Sequence, residues 1–233
     1  MLTDQINQTA EAWKMLGRLG YIDGIFNHIS TSWVGEAGEF IAAMNPFGPL
    51  ANNISSESFV QFELLGNVTK AGPPNLNQDG YALHRSLHQA RGKPGTVLHT
   101  HSRAVAAVSA SKAGLLPISQ AALEFCSDVV YFEYDGLFRG QKLVPGLAKI
   151  AQTGGCAILR NHGLLIVADS VPEVFYCAYY LEEACAIQCF APTRSKELII
   201  PRTAIVSSVR AEMIADRSEN ARIMFEAFRS HLL

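Results

Sequence analysis

Residues 97–102 read Val-Leu-His-Thr-His-Ser, and they place His99 and His101 two positions apart in a stretch with strand character. In a strand, positions i and i+2 share a face with Cα atoms ~6.6 Å apart. Two imidazoles on that face can converge on one cation at about 2.0–2.1 Å each. The pair alone describes a wet strand face equally well. Its flanks decide between the two, because Val97, Leu98 and the following Ala104–Val108 run are apolar and carry the strand into a core. Buried imidazoles need partners, and a shared cation supplies them. A third candidate ligand is His162, in the turn Asn161-His162-Gly163, where the glycine permits a sharp bend. Three histidines with open positions make a catalytic metal arrangement rather than a closed structural one.

Three other histidines compete for roles. His84 and His88 are four apart on a predicted helix, a spacing that can hold zinc. Arg85, Ser86 and Leu87 lie between them, so no metalloprotease glutamate is present. His84 can still line a pocket, since its helix leads directly into the His99 strand. His231, near the end of the chain, is expected to be exposed.

The elements that must position these residues follow from periodicity and punctuation. Residues 4–20 form an amphipathic helix, with strands at 26–31 and 39–44. Asn45-Pro46-Phe47-Gly48-Pro49 then interrupts regular structure. A short helix and a strand-like piece span 55–65, and a loop spans 71–75. A helix at 79–91 ends at Gly92, the histidine strand occupies 95–101, and a helix follows at 103–112. Residues 115–145 read as short strands, the clearest at 129–133, with turns at 135–136 and 139–140. A helix at 146–152 precedes strands at 156–160 and 164–167. Ser170-Val171-Pro172-Glu173 is a capping box that starts a helix from about 171 to 190. Residues 201–233 form a helical tail. Strands interleaved with helices, without a linker, predict one α/β domain over residues 1–233.

Composition narrows the function. The hydrophobic share of 48 % and charged share of 17 % suit a folded domain, and the net charge is −2. No basic stripe is present, so nucleic acid is excluded as a partner and a small molecule is favoured. The five cysteines are scattered and contain no CxxC pair, which argues against a disulfide framework. Cys185 and Cys189 share a helical face and are expected to be small buried residues. The first residues lack a signal-peptide apolar region, and no apolar run reaches the ~20 residues that span a bilayer. A cytoplasmic setting without membrane contact is the expectation.

The motifs together resemble the class II aldolase/adducin family. The matching residues are Asn27-His28-Ile29-Ser30, Met44-Asn45-Pro46-Phe47-Gly48, Val97-Leu98-His99-Thr100-His101-Ser102 and Leu159-Arg160-Asn161-His162-Gly163-Leu164-Leu165. The helix containing Leu181-Glu182-Glu183-Ala184-Cys185 completes the match. The resemblance implies a three-layer α/β/α fold around a central, mainly antiparallel sheet. It implies one divalent metal ion per subunit on His99, His101 and His162, zinc first, with iron, manganese, cobalt or nickel as alternatives. A homotetramer with active sites at subunit interfaces is also implied. Family chemistry passes through an enolate or enediolate whose oxygens chelate the metal. The resemblance sets Asn27, Ser30, Asn45 and Gly48 against the substrate and Tyr134 near it.

Two departures bear on the reaction. The family's sugar-phosphate aldolases carry an acid/base glutamate where this chain has Gly80. Asp79, one residue away, either replaces that carboxylate or caps its helix. The family's phosphate-binding Gly-Asn-x-Ser becomes Asn27-His28-Ile29-Ser30, so His28 stands where an amide would contact phosphate. A carboxylate or enol oxygen suits His28 at least as well. The expectation is therefore a metal-dependent carbon–carbon lyase, decarboxylase ahead of aldolase, with His28, Tyr134, His84 or Asp79 handling protons. A sugar-phosphate epimerase or dehydratase, an iron-dependent oxygenase and a non-catalytic adducin-like binding protein are the alternatives.

Overall fold

The computed structural model describes residues 2–65, 73–134, 136, 145–191 and 198–232. Residues 71–72, 135 and 139–140, where part of the loop and the turns are expected, lie outside these. Among the described residues seven strands are interspersed with helices: β1 (His28–Val34), β2 (Phe40–Met44), β3 (Val60–Glu63), β4 (Gly95–Thr100), β5 (Val130–Phe132), β6 (Gly155–Leu159) and β7 (Gly163–Ala168). The helices are α1 (Leu2–Arg18), α2 (Gln78–Arg91), α3 (Arg103–Ser109), α4 (Gln120–Phe125), α5 (Pro145–Thr153), α6 (Val171–Phe190) and α7 (Thr203–Leu232). The strands form one sheet in the order β3-β2-β1-β4-β7-β6-β5. Every neighbouring pair is antiparallel except β5 and β6.

Strand alternation sorts the core into two sides. Leu98 packs with Trp13 and Leu16 of α1 and with Phe175 and Leu181 of α6. Val97, one residue earlier, packs instead with Leu83 and Leu87 of α2 and Leu147 and Ile150 of α5. Helices α1, α3, α4, α6 and α7 thus cover one face, and α2 and α5 the other. His99 has the parity of Val97, so β4 aims it at α2. That parity decides which residues it meets.

Most expected elements stand where periodicity places them. Helix α6 is buried on several sides, and Ser170 caps it by accepting from Glu173 N at 3.3 Å. The Glu173 carboxylate accepts from the Ser170 hydroxyl at 3.1 Å, so the two side chains pair with each other. Helix α4 was not expected within 115–145. Its six residues are too few to show a helical period, although Ser119 caps it by accepting from Ala122 N at 3.2 Å. Cys185 is buried as expected, but Cys189 is exposed, because α6 outruns its packing partners near Phe190.

Candidate metal centre

The end of β4 and the β6–β7 turn bring three imidazoles to one point. His101 Nε2 lies 3.0 Å from His99 Nε2 and 3.0 Å from His162 Nε2. Each ring has a second nitrogen, and for two of them the partner of that nitrogen fixes the tautomer. His99 Nδ1–H donates to Leu164 O at 2.9 Å, leaving a lone pair on Nε2. His101 Nδ1 lies 3.1 Å from Asp23 Oδ1, which orients its ring in the same sense. Lone pairs facing each other at this distance repel unless a cation lies between them. The donor set therefore fits a divalent metal, with Leu164 O and Asp23 acting as the partners that orient metal-binding histidines. Burial and the neighbouring imidazoles hold His99 well below its usual pKa. His162 is lowered by burial and by His101, with Asp23 opposing. Neutral imidazoles are the form that binds metal.

Local structure holds these rings in place. Gly163 is required, since a Cβ there would collide with the Thr100 carbonyl oxygen. Asn161 precedes it with φ 55°, the left-handed conformation that asparagine tolerates better than most residues. Glu182 of α6 accepts from Ala104 N at 3.0 Å and Val105 N at 3.1 Å. It thereby satisfies the first turn of α3 and fixes where the chain turns after His101. Asn27 accepts from His101 N at 2.8 Å and donates to Asp23 Oδ1 at 2.6 Å. Sequence reasoning missed Asp23 because its partner lies 78 positions away.

A second group of histidines adjoins the first. The β1–β4 register sets His28 opposite His99, and their rings stack with centroids 4.9 Å apart. His28 Nδ1 lies 2.8 Å from His84 Nε2, and Ser30 Oγ joins His84 Nδ1 at 2.6 Å to His88 Nε2 at 2.7 Å. Burial holds His28 and His84 well below their usual pKa, and neighbouring imidazoles add to it. Burial and then the Arg91 charge push His88 down to about 3. His84 is fully buried with both nitrogens engaged, so it reaches no ligand and acts only through His28. Ser30 is likewise fully buried behind the site.

Gly80 explains the two departures as one. A Cβ at that position would stand 2.6 Å from His28 Cδ2 and Nε2. A glutamate at 80 and a histidine at 28 compete for the same space. Helix α2 is capped by Asn77, which accepts from Gly80 N at 2.9 Å, and not by Asp79, which sits in the first turn. Asp79 is half-buried there. Tyr134 is 54 % exposed, its ring perpendicular to His162 with centroids 6.3 Å apart. Asn45 Oδ1 accepts from Ile29 N at 2.7 Å and so braces β1. Gly48 is exposed with φ 110°, beside the exposed Phe26 and Phe47, whose rings meet at a tilt of 51°.

The model for the Class II Aldolase and Adducin N-terminal domain matches residues 7–189. An aldolase class 2 protein of Pseudomonas aeruginosa, itself so named only provisionally, is 34 % identical over 88 % of this chain and 78 % of its own length. Mouse alpha-adducin is 37 % identical over 77 % of this chain, which corresponds to 24 % of that larger protein. Among solved structures, an aldolase II superfamily protein from Pseudomonas syringae is similar with a TM-score of 0.85 at 30 % identity, covering 99 % of this chain and 92 % of that one. An L-fuculose 1-phosphate aldolase from Glaciozyma antarctica shares the fold with a TM-score of 0.79 at 20 % identity, covering 99 % and 88 %.

Proposed function

We propose that this chain, which belongs to the class II aldolase and adducin family, is a divalent-metal-dependent carbon–carbon lyase acting on a small oxygenated, carboxylate-bearing substrate. The observation that carries the reading is the convergence of three imidazole nitrogens, those of His99 and His101 facing each other as lone pairs. A divalent cation held by His99, His101 and His162 supplies a Lewis acid for the negative charge that develops on substrate oxygens. Zinc is the first choice, although imidazole also suits iron, cobalt and nickel; manganese is a further option.

The chain's own residues favour decarboxylation over aldol cleavage. Gly80 leaves no carboxylate at that point of α2, and His28 fills the space. Loss of CO2 needs no base to take a proton from carbon, but the carbanion equivalent left behind must be protonated. His28 and Tyr134 flank the triad from β1 and from the segment after β5, and either can deliver that proton. Aldol cleavage is the companion reading, with Asp79 or a neighbouring subunit as base. The exposed Phe26 and Phe47 beside the site support a homo-oligomer, a tetramer by family likeness. Free cysteines favour a reducing, cytoplasmic setting. No helix among the described residues is long and apolar enough to cross a membrane.

The 37 % identity to mouse alpha-adducin favours a second reading, a non-catalytic binding domain. One experiment separates the two. Purified protein is analysed for metal and then offered small hydroxy- and keto-acids, with CO2 and aldehyde measured separately. Stoichiometric metal with CO2 release supports the lyase; metal-free, inert protein supports the binding domain.

A further inference from the structure

We propose that His88, Ser30, His84 and His28 form one hydrogen-bonded file whose direction is set at its buried end, so that His28 presents Nε2–H, and not a lone pair, beside the metal triad. The inference deepens the lyase reading and rests on it, since a substrate must reach that edge of His28.

The direction follows from counting donors. The Ser30 hydroxyl is fully buried, and its Oγ bonds among the described residues are to the two imidazoles. Accepting from both would leave its own hydrogen without an acceptor, so it donates to one and accepts from the other. Each neutral imidazole carries one N–H, so the choice at Ser30 propagates through every ring. Only two arrangements exist. In the first, His88 Nε2–H donates to Ser30, Ser30 to His84 Nδ1, and His84 Nε2–H to His28 Nδ1. His28 then carries its proton on Nε2. In the second, every bond is reversed and His28 Nε2 is a lone pair.

The two differ at His88 Nδ1, which is fully buried and has no hydrogen-bond partner. The first arrangement leaves a lone pair there. The second leaves an N–H without an acceptor, and orphaned donors are the rarer defect in folded proteins. A second proton on His88 would leave the same Nδ1–H without an acceptor, and burial, then the charge of Arg91 one turn further along α2, oppose it. The first arrangement wins.

The free edge of His28 is the one that faces Gly80 at the start of α2: its Cδ2, Nε2 and Cε1 atoms are those nearest an added Cβ. His28 therefore offers a hydrogen bond to a substrate oxygen, a carboxylate or a carbonyl on which charge develops, and does not accept a proton at that atom. Ser30, His84 and His88 are positioning residues that act through it. A glycine at 80 leaves clear the space beside this edge that any side chain would take.

The test is the tautomer of each ring, read from long-range proton–nitrogen NMR correlations of 15N-labelled, zinc-loaded protein at neutral pH without substrate. The expected result is a protonated Nε2 and a bare Nδ1 on His28, His84 and His88 alike. Protonated Nδ1 on His28 overturns the proposal, and does so whether or not the protein proves to be a lyase. In Ser30→Ala the single tautomer of His84 and His28 should give way to a mixture. Retention of one Nε2–H form there would show that the file does not set it. The wild-type spectrum decides the matter alone if that variant does not fold.

Discussion

Two groups of histidines share one face of one sheet and end in opposite arrangements. In the triad His99, His101 and His162, the outer nitrogens of two rings are held by Leu164 O and Asp23, so the inner ones converge as lone pairs. In the file His28, His84 and His88, the bonds run donor to acceptor from ring to ring through Ser30. Between His99 and His101 no proton is left to share, and the three nitrogens suit a cation. The second group is satisfied internally except at its two ends, His88 Nδ1 and His28 Nε2. Residue type therefore says little about role here; the partner of the second ring nitrogen decides it. The groups touch where the His28 and His99 rings meet, so the proposed metal site adjoins the proposed hydrogen-bond donor.

The contrast can be broken from either side. His99→Ala removes a ligand, and it should lower metal affinity by well over the roughly 100-fold that supporting residues reach. Metal analysis after dialysis reads this, and turnover should vanish with the metal. The file responds to pH instead. His88 has a pKa of about 3 in the fold, against about 6.5 in an unfolded chain. The unfolded state takes up the proton first, so the stability that neutral His88 contributes is complete above pH 6.5 and is lost as pH falls toward 3. The slope is about 1.4 kcal/mol per pH unit at most. Denaturant melts of wild type and His88→Gln across that window should diverge by this slope, and parallel curves would remove the buried neutral histidine from the account.

Smaller effects sharpen the boundary. Asp23→Ala should weaken metal binding about 10- to 100-fold, the usual cost of losing a carboxylate behind a ligating histidine. Gly80→Ala should destabilise the fold by about 1–3 kcal/mol, because the new methyl meets the His28 ring. Adding His28→Ala should recover part of that loss, and strict additivity of the two would show that the positions are not coupled. Tyr134→Phe should leave stability within about 0.5 kcal/mol, since the residue is exposed. A fall in turnover in that variant then reports chemistry alone.

The triad was legible from sequence because its signals are local. His99 and His101 follow strand alternation, and His162 stands beside a glycine whose need is geometric. The file was not, because Ser30 and His88 are 58 positions apart and meet only through the register of β1 on β4 and the packing of α2 across it. The position of its helix points His84 toward a pocket, yet the same helix buries it. Gly80 and His28 were read as two separate departures and are one change in packing. Asp79 has the residue type of a cap, but the chain enters α2 two residues earlier, at Asn77. Each miss is a contact between elements, which periodicity along one element cannot report.

The central claim is that the three converging imidazoles hold one cation. The direct measurement is metal content by mass spectrometry, on protein purified without chelators and on His101→Ala prepared alongside. One divalent ion per chain is expected in the wild type and none retained in the variant. Substoichiometric metal in the wild type after reloading, or equal metal in both proteins, would contradict it.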